Sequence, residues 1–379
     1  MDFRLTPEQE MMVKVIRELA QKEIAPRAAK IDESEEFPWE NIKAMNDLGL
    51  LGMTIPEEYG GSLTDSLTYM MAIEEIAKAC ASTATILAVH SSAGCGGIVQ
   101  FGTEEQKKKY LPRLAEGGKI AAFALTEPGA GSDAAAVQTT AVLDGDEYVL
   151  NGTKCFITNG SVADVYTVFA MTDKSKGVKG MSAFIVEAGT PGFTYGKLED
   201  KMGIRASATS ELIFDNCRIP KENLLGSEGD GFKIAMTVLD GARIGIGALA
   251  VGIAQAAFET ALQYSKERKQ FGRPIFDFQA VNFMLADMAM QIEAARLMVY
   301  KAAWLKDAGL PHGKEAAMAK TIASDMAVKV TSDAVQIMGG YGYSKEYPVE
   351  RYMRDAKITQ IYEGTNQIQR VVISNYLKR

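Results

Sequence analysis

Residues 137–160, VQTTAVLDGDEYVLNGTKCFITNG, decide the fold class of this 379-residue chain. β-Branched and aromatic side chains recur through the stretch, as is typical of strands. Asp144-Gly145 and Asn151-Gly152 are dipeptides that favour tight turns between neighbouring strands. Similar short runs surround the stretch, among them KIAAFALTE, ADVYTVFAMTD, MSAFIVEAG and ELIFDNCRIP. We therefore predict a compact β domain over residues 118–230.

The segments before and after this domain have the period of α-helices. In residues 1–117, apolar residues recur at helical spacing in EQEMMVKVIRELAQKEI and LTYMMAIEEIAKAC, and Thr6 before Pro7 is a helix-capping pattern. In residues 231–379, long helical patterns run to Gly309 and to Gly339-Gly340. Such helices usually pack as a bundle, so we predict an α+β protein with helical N-terminal and C-terminal domains.

Composition and charge exclude several classes of function. The formal net charge of −7 argues against nucleic acid and against an anionic membrane surface as partner. We expect no apolar run to span a bilayer and therefore no membrane insertion. The N-terminal stretch lacks the basic start and apolar core of a signal peptide, so we expect a cytoplasmic protein. The four cysteines are far apart and only two histidines are present, so we predict neither disulfides nor a metal.

One apparent nucleotide motif is rejected. GIGALAVG, beginning at Gly245, resembles the G-x-G-x-x-A fingerprint of dinucleotide-binding folds. That fingerprint needs a preceding strand and a turn that opens a helix. Here the preceding GFKIAMTVLDGARI is already helical in pattern, so we interpret the small residues as allowing close helix packing.

Two stretches of the β domain contain residues suited to a flat, polar ligand. In AFALTEPGAGSDAA (122–135), a strand ends near Thr126-Glu127 and a glycine-containing loop follows. Its bare amides and hydroxyls can bind a ring edge or a phosphate. KCFITNGS (154–161) places an aromatic residue and a hydroxyl at the end of the next strand. The alternatives are a plain turn with Asp133 as a helix cap, and ordinary strand residues.

Two stretches of the C-terminal part suit the close approach of a ligand or a second subunit. SKERKQFGRPIFDFQA (265–280) places Arg268, Lys269, Phe271 and Arg273 near a helix end. QIMGGYGYSKEYPVERYMRD (336–355) ends a helix with a glycine-rich turn and two tyrosines.

Glu363 is a lone carboxylate in AKITQIYEGTNQIQR (356–370), which we assign to the last helical stretch of the chain. A glutamate that faces solvent would need no explanation. A glutamate in an apolar pocket would have a raised pKa and could act as a base. The residues of this stretch alone leave both interpretations open.

Taken in order, these stretches resemble the acyl-CoA dehydrogenase family from end to end. ALTEPGAGSDAAA fits that family's first signature and QIMGGYGYSKEYPVERYMRD its second, with every fixed position present. The resemblance implies a helical N-terminal domain, a central β-sheet or β-barrel domain and a C-terminal four-helix bundle. It also implies a homotetramer that binds FAD and dehydrogenates an acyl-CoA thioester to a trans-2-enoyl-CoA.

The resemblance assigns three groups of residues to the FAD. Those along the flavin ring are Phe123, Leu125, Thr126, Gly131, Ser132, Phe156, Ile157 and Thr158, with the Thr158 hydroxyl near flavin N5. Those that a neighbouring subunit contributes are Arg268, Gln270, Phe271, Gln279, Gln336, Ile337, Met338, Gly339 and Gly340. Those at the pyrophosphate and adenine side are Thr365, Asn366 and Gln367.

For the acyl-CoA, the resemblance implies contacts from Ser132, Asp240, Arg243, Tyr362 and Gly364. Ser132 matches a contact to the pantetheine arm, and Asp240 with Arg243 matches a pair that grips it further out. Without the resemblance, that pair would be a helix-surface ion pair worth at most ~1 kcal/mol.

Glu363 matches the family's catalytic base, which removes the α-proton of the thioester. The resemblance implies that a backbone amide at the base and a flavin ribityl hydroxyl stabilise the enolate oxygen. Some relatives place the base instead on the helix of Asp240, but Gly241 and Ala242 leave no carboxylate there.

The acyl group is predicted less sharply. TATILAVHSSAGC (83–95) corresponds to the helix at the acyl end of the pocket and holds no charged side chain besides His90, so a dicarboxylate is not expected. The overall pattern is most similar to bacterial short-chain, butyryl-type enzymes, and branched acyl groups stay open.

Electrons would pass to an electron-transferring flavoprotein, or the enzyme would run in reverse and reduce an enoyl-CoA. The alternatives are a branched-chain or other acyl-CoA dehydrogenase and an acyl-CoA oxidase of the same fold. A flavin monooxygenase usually lacks the base, and a non-catalytic relative would have lost Glu363 or the flavin loops; neither loss is seen in the sequence.

Overall fold

A computed structural model describes residues 4–378, so residues 1–3 and Arg379 of the predicted terminal domains lie outside it. The first part is helical, and Thr6 caps its first helix by accepting a hydrogen bond from the Gln9 backbone amide, with Pro7 in the first turn. This confirms the predicted cap. The helices are α1 (Pro7–Leu19), α2 (Ala28–Ser34), α3 (Trp39–Asp47), α4 (Ser66–Ala79), α5 (Ala81–Ala88), α6 (Cys95–Phe101) and α7 (Glu104–Ala115).

The middle part is one mixed β-sheet. Its strands are β1 (Ala121–Ala124), β2 (Thr140–Asp144), β3 (Glu147–Thr158), β4 (Val165–Met171), β5 (Met181–Glu187), β6 (Phe193–Leu198), β7 (Thr209–Pro220) and β8 (Leu224–Leu225). The strand order is β6-β7-β3-β2-β4-β5-β8, and β1 pairs with β4 in parallel. Long strands β3 and β7 run antiparallel and carry the end of β3 toward the helices.

One of the two predicted turns is wrong. Asp144 ends β2 and Glu147 begins β3, so the tight turn at Asp144-Gly145 is confirmed. Asn151-Gly152 instead lies inside β3, where the pairing with β7 shifts register in a β-bulge. The glycine is required there because a Cβ at Gly152 would lie 2.4 Å from Thr139 Oγ1.

The last part is helical again. It comprises α8 (Gly231–Glu267), a hairpin of β9 (Lys269–Gln270) and β10 (Arg273–Pro274), α9 (Gln279–Asp307), α10 (Gly313–Met338), α11 (Gly340–Tyr343), α12 (Val349–Ile358) and α13 (Asn366–Leu377). Helix α8 is central to the bundle and packs against α9, α10 and α4. A Cβ at Gly247 would lie 2.9 Å from Val299 Cγ2, and one at Gly252 would lie 2.4 Å from the Glu74 carbonyl oxygen. The small residues of GIGALAVG therefore serve helix packing, as predicted.

Two helical stretches, Ala81–Phe101 and Gly231–Glu267, are long and apolar enough to cross a membrane. The prediction that no apolar run reaches this length was wrong. In each stretch, 72% of the most apolar window is buried inside the protein. A helix that is covered by protein on most sides needs apolar residues around its whole circumference, which explains the composition.

The helical assignment of residues 356–370 was also wrong in part. Helix α12 ends at Ile358 and α13 begins at Asn366, so residues 359–365 form a connection that we call the base loop. Glu363 and Gly364 have left-handed backbones, with φ of 52° and 90°, and two such residues cannot continue an α-helix.

Candidate active site

The base loop holds Glu363 in an unusual backbone conformation. A left-handed φ is uncommon for a residue with a side chain, and it persists only where the surroundings impose it. The Gln369 side-chain amide imposes it here by donating to the carbonyl oxygens of Glu363 (3.1 Å) and Gly364 (2.9 Å). Thr365 caps α13 by accepting from the Ile368 backbone amide.

The Glu363 carboxylate points inward. The residue as a whole is partly exposed, but its Oε2 is buried and has no hydrogen-bond partner among the described residues. Burial raises the pKa of Glu363 to about 7, against the opposing effect of the nearby positive charges of Lys320 and Arg243. The carboxyl group is therefore a base that changes protonation near neutral pH.

Lys320 on α10 is the residue that sequence reasoning missed. It is fully buried, and its ammonium donates to the Gly364 carbonyl oxygen and to Asn366 Oδ1, both at 2.9 Å. Its burial lowers its pKa to about 8. The available signal was a lysine among small residues in AAMAKTIASD, with Ala316, Ala319 and Ala323 on the packed side of the helix.

Arg243 and Asp240 form an ion pair one helical turn apart on α8. Arg243 is buried and its Nε has no hydrogen-bond partner among the described residues. Burial raises the pKa of Asp240, and Arg243 opposes the rise. The pair is thus not a solvated surface pair, since the guanidinium lies inside the protein near the Glu363 charge.

The loop after β1 and the end of β3, which hold residues predicted to contact a flavin, are neighbours. The backbone amide of Cys155 donates to the Thr126 carbonyl oxygen at 3.0 Å. Buried Lys154 binds Glu127 Oε1 at 2.8 Å and the Leu125 carbonyl oxygen at 3.1 Å. This pair, which sequence reasoning also missed, joins the end of β3 to the loop after β1.

Glu127 also holds the segment that leads from the loop back into the sheet at β2. Its carboxylate accepts from the backbone amides of Gln138 (2.6 Å) and Thr139 (3.0 Å). Burial opposes its ionisation, yet Lys154 and these donors hold the pKa of Glu127 below its usual value. Gly131 and Ser132 are exposed on the loop between, and Asp133 makes no side-chain cap.

Phe156 is an exposed aromatic residue among those predicted to contact the flavin ring. It has a φ of 55°, and 64% of its surface faces solvent, while neighbouring Ile157 is buried. Phe123 on β1 is partly buried and lies 4.8 Å from Phe169, centroid to centroid. Thr126 and Thr158 are partly exposed residues with hydroxyl groups, and together with the aromatic residues they fit a flat heterocycle with a polar edge.

Helix α5 links this strand region to the base loop. Asn159 directly follows Thr158. Its side-chain amide donates to the Ala121 carbonyl oxygen on β1 (3.2 Å) and to the Ile86 carbonyl oxygen on α5 (3.4 Å). Helix α5 also packs against α12, which leads into the base loop. Tyr362 has a buried hydroxyl without a partner among the described residues, and burial raises its pKa.

His90, at the predicted acyl end, is buried and its burial lowers its pKa to about 4. Its Nδ1 accepts from the Ala121 backbone amide at 3.1 Å, which leaves Nε2 to donate to the Leu51 carbonyl oxygen at 3.2 Å. The ring is therefore neutral at physiological pH.

Some of the remaining predicted cofactor residues line a separate cavity of about 620 Å³. Arg268, Gln270 and residues 337–340 line it, together with Tyr264 and Tyr341. It shares no lining residue with the base loop or the end of β3. Gln279 and Gln336 are exposed at helix ends nearby in the chain, and Asn366 is buried beside Lys320 while Gln367 is exposed.

Phe271 stands at the tip of the β9–β10 hairpin. Its φ is 51° and its exposed fraction is 93%. Its ring meets Phe278 edge to face at 5.9 Å between centroids, and the rest of this large apolar side chain is open to a partner or a ligand.

Sequence models of three consecutive domains match the chain. They are the N-terminal (residues 6–118), middle (122–217) and C-terminal (229–377) domains of acyl-CoA dehydrogenase. A short-chain specific acyl-CoA dehydrogenase of Clostridium acetobutylicum is 56% identical over 379 residues, which is all of both chains.

Two solved structures superpose over the full length of both chains. One is butyryl-CoA dehydrogenase from Megasphaera elsdenii, with 54% identity and a TM-score of 0.98. The other is a chain from the structure of the electron transferring flavoprotein of Acidaminococcus fermentans, with 57% identity and a TM-score of 0.99.

Proposed function

The chain belongs to the acyl-CoA dehydrogenase family, and on that premise we propose that it removes hydrogen from the α and β carbons of a short-chain acyl-CoA, with FAD as cofactor and Glu363 as base. The substrate we propose is butyryl-CoA and the product a trans-2-enoyl-CoA.

One observation carries the proposal. Glu363 Oε2 is a buried carboxylate oxygen that no described residue binds, on a residue with a left-handed backbone. A protein leaves such an oxygen unpartnered at a cost of 1–3 kcal/mol as an order of magnitude, so the oxygen needs a functional partner. The α-proton of a bound thioester is a suitable partner.

The chemistry follows from the same loop. The α-proton is weakly acidic, and a base with a pKa of about 7 is poised to accept it at neutral pH. Negative charge then develops on the thioester oxygen. Among residues 4–378, no group accepts a hydrogen bond from the Glu363 backbone amide, which leaves that donor free for the oxygen.

The residues present fit FAD. Exposed Phe156 and the Thr126 and Thr158 hydroxyls would hold the flavin ring. Arg268 and residues 337–340, which line the 620 Å³ cavity, would contact the FAD of a neighbouring subunit, and Thr365, Asn366 and Gln367 would lie at the pyrophosphate and adenine side. Bound FAD supplies the acceptor for the hydride that leaves the β carbon. Lys154 and Glu127 keep the loop and the strand in register for this role.

For the substrate, we propose that Ser132, Asp240 and Arg243 hold the CoA arm while Tyr362 and Gly364 border the thioester. Neutral His90 supports an uncharged acyl group, because no ionised side chain of residues 83–95 would compensate a second carboxylate. The butyryl-CoA dehydrogenase of Megasphaera elsdenii supports a four-carbon chain.

We also propose a homotetramer. On α9, Phe283, Met290, Leu297 and Trp304 recur every seven residues and are 58%, 63%, 43% and 54% exposed. We call these four residues the α9 stripe. A row of large apolar residues on one helix face is a subunit-contact surface.

Two further proposals concern the electron acceptor and the cellular compartment. We propose an electron-transferring flavoprotein as acceptor, supported by the full-length match to a chain in the structure of that flavoprotein from Acidaminococcus fermentans. We propose the cytoplasm as compartment, supported by four free, buried thiols, which a reducing environment preserves.

Turnover of an acyl-CoA series with an artificial electron acceptor tests the proposal. We expect butyryl-CoA to give the largest kcat/KM among propionyl-, butyryl-, isobutyryl-, isovaleryl- and hexanoyl-CoA, with the enoyl product identified by mass. A maximum at a branched substrate would reject the butyryl assignment. An absence of turnover with every member would reject the dehydrogenase function.

A further inference from the structure

Lys320 is unusual because it is fully buried and its ammonium has no carboxylate partner among the described residues. Lysine is almost never fully buried unless it is paired with a carboxylate. Within residues 4–378, no carboxylate oxygen lies within 4.0 Å of its ammonium. The ammonium instead binds two neutral oxygens, one on Gly364 inside the base loop and one on Asn366, the residue that follows it.

The charge of Lys320 therefore acts on Glu363 through space. The other charged or titratable groups that face Glu363 are Arg243 on α8, Tyr69 on α4 and Tyr362 on the loop itself. Asp325 on α10 interacts with Lys320 and binds the Asn366 amide at 2.7 Å. Tyr69 and Tyr362 stay neutral because burial raises their pKa, so the cations near the base are Lys320 and Arg243.

We propose that Lys320 is a positioning residue of the reaction, which clamps the base loop through the Gly364 carbonyl and keeps Glu363 in the ionised form that accepts the proton. This inference rests on the proposed function, since it assigns a role within the same site.

The alternative is that Lys320 only anchors the loop. The loop has other anchors: Asn366 also donates to Ser324 Oγ (2.9 Å), and Gln369 binds two loop carbonyls. The loop thus keeps several hydrogen bonds when Lys320 is replaced, whereas the charge beside Glu363 is lost. The two roles predict different pH profiles.

Electrostatics determine the direction in which replacement of Lys320 changes the pKa of Glu363. Burial raises the pKa of Glu363, and Lys320 is the first of the two cations that lower it. Removal of that cation raises the pKa further and leaves less of the base ionised at neutral pH. Loss of a neighbouring positive charge raises a carboxyl pKa by about 1 unit or more. At a pH below the midpoint of the acid limb, the ionised fraction of Glu363, and with it kcat/KM, therefore falls about tenfold.

The experiment is the pH profile of kcat/KM for butyryl-CoA in the holoenzyme and in Lys320→Met. Lys320→Gln keeps a hydrogen-bond donor without the charge, and Lys320→Arg keeps the charge. We expect the midpoint of the acid limb to move up by about 1 pH unit in the Met and Gln variants and to stay in the Arg variant. Bound FAD per chain, read from the visible spectrum, stays as in the wild type.

Arg296→Met is the matched control. It also removes a mostly buried cation from the helical bundle, where Arg296 binds Glu74 at 2.8 Å, and Arg296 contacts no residue of the base loop. We expect it to lower the Tm without moving the midpoint.

An unmoved midpoint in the folded Met or Gln variant would overturn the inference while the proposed function stands. Failure of all three Lys320 variants to fold with FAD would also overturn it, because the lysine would then be a folding requirement. A wild-type enzyme that turns over no acyl-CoA would instead reject the proposed function.

Discussion

At the scale of single residues, left-handed backbones mark the candidate sites. Glu363, Phe156 and Phe271 have φ between 51° and 55°. Glu363 Oε2 has no hydrogen-bond partner among the described residues, and the two phenylalanine side chains are 64% and 93% exposed. Each such conformation costs roughly 1 kcal/mol or more and persists where the surroundings impose it. At these three positions the unusual backbone coincides with an exposed ring or an unpartnered oxygen, which supports their assignment to the site.

The pH dependence of the reaction follows from Glu363. Burial raises its pKa to about 7, and only the ionised form accepts a proton, so kcat/KM with butyryl-CoA should rise as the pH increases through about 7. Steady-state rates from about pH 5.5 to about pH 8.5 measure this. A midpoint near 4.5, the value of a solvated glutamate, would show that the carboxyl group faces water.

Phe156 should contribute to cofactor retention and little to folding. Phe156→Ala removes a ring that is 64% exposed, so we expect less FAD per purified chain but an apoprotein Tm within about 1 °C of the wild type. Val142→Ala is the control, because Val142 is 60% exposed on a strand of the same sheet. Equal FAD content in both variants would contradict the assignment of Phe156 to the flavin.

The sequence identified the residues to which we assign chemistry and missed the buried charged residues that hold them. Glu363 and the flavin loops are recognisable from residue type and order. Lys320 and the pair Lys154–Glu127 are not, because a buried charge and a solvated one have the same letter in the sequence. Their roles depend on burial, which the tertiary packing determines.

At the scale of elements, the sequence predicted helix and strand types well and failed where two distant segments meet. Asn151-Gly152 has the composition of a turn, but β7, some sixty residues later, pairs across it and makes it a bulge. The break at Glu363-Gly364 was missed because apolar spacing continues through the base loop. In both places a glycine accepts a backbone that regular structure excludes.

The α9 stripe should hold subunits together. In Phe283→Glu with Leu297→Glu, two charges enter a surface that we expect to be buried between chains, so the assembly should dissociate into smaller particles. Sedimentation velocity measures the mass. Met11→Glu, at a residue of α1 that is 68% exposed, is the control and should leave the mass unchanged. An intact tetramer in the double variant would contradict the placement of the interface.

At the scale of the whole molecule, one guanidinium joins the three parts of the chain. Arg354 on α12 binds Asp32 of the N-terminal helices at 2.7 Å, the Met202 carbonyl oxygen of the β part at 3.1 Å and Glu350 at 2.7 Å. Its neighbour Asp355 accepts from the Ile204 backbone amide at 2.6 Å. The composition and periodicity of the sequence predicted the three parts but not this junction, which unites residues more than a hundred positions apart.

Arg354→Ala should therefore destabilise the molecule. It leaves two mostly buried carboxylates without their partner, at a cost of about 2 kcal/mol, which a thermal scan of the holoenzyme would detect as a lower Tm. Arg218→Ala is the control, because Arg218 also binds two carboxylates but all three side chains are about half exposed. Equal shifts of Tm would show that the junction adds no stability.

The most direct test of the proposed function examines in one experiment whether Glu363 is the base, FAD the cofactor and butyryl-CoA the substrate. Butyryl-CoA is added to the purified protein without an electron acceptor and without oxygen, and the visible spectrum is recorded for the wild type and Glu363→Gln. We expect bleaching of the oxidised flavin band in the wild type and none in the variant, which retains the same FAD. A colourless wild type, a flavin band that butyryl-CoA leaves unchanged, or equal bleaching in both proteins would contradict it.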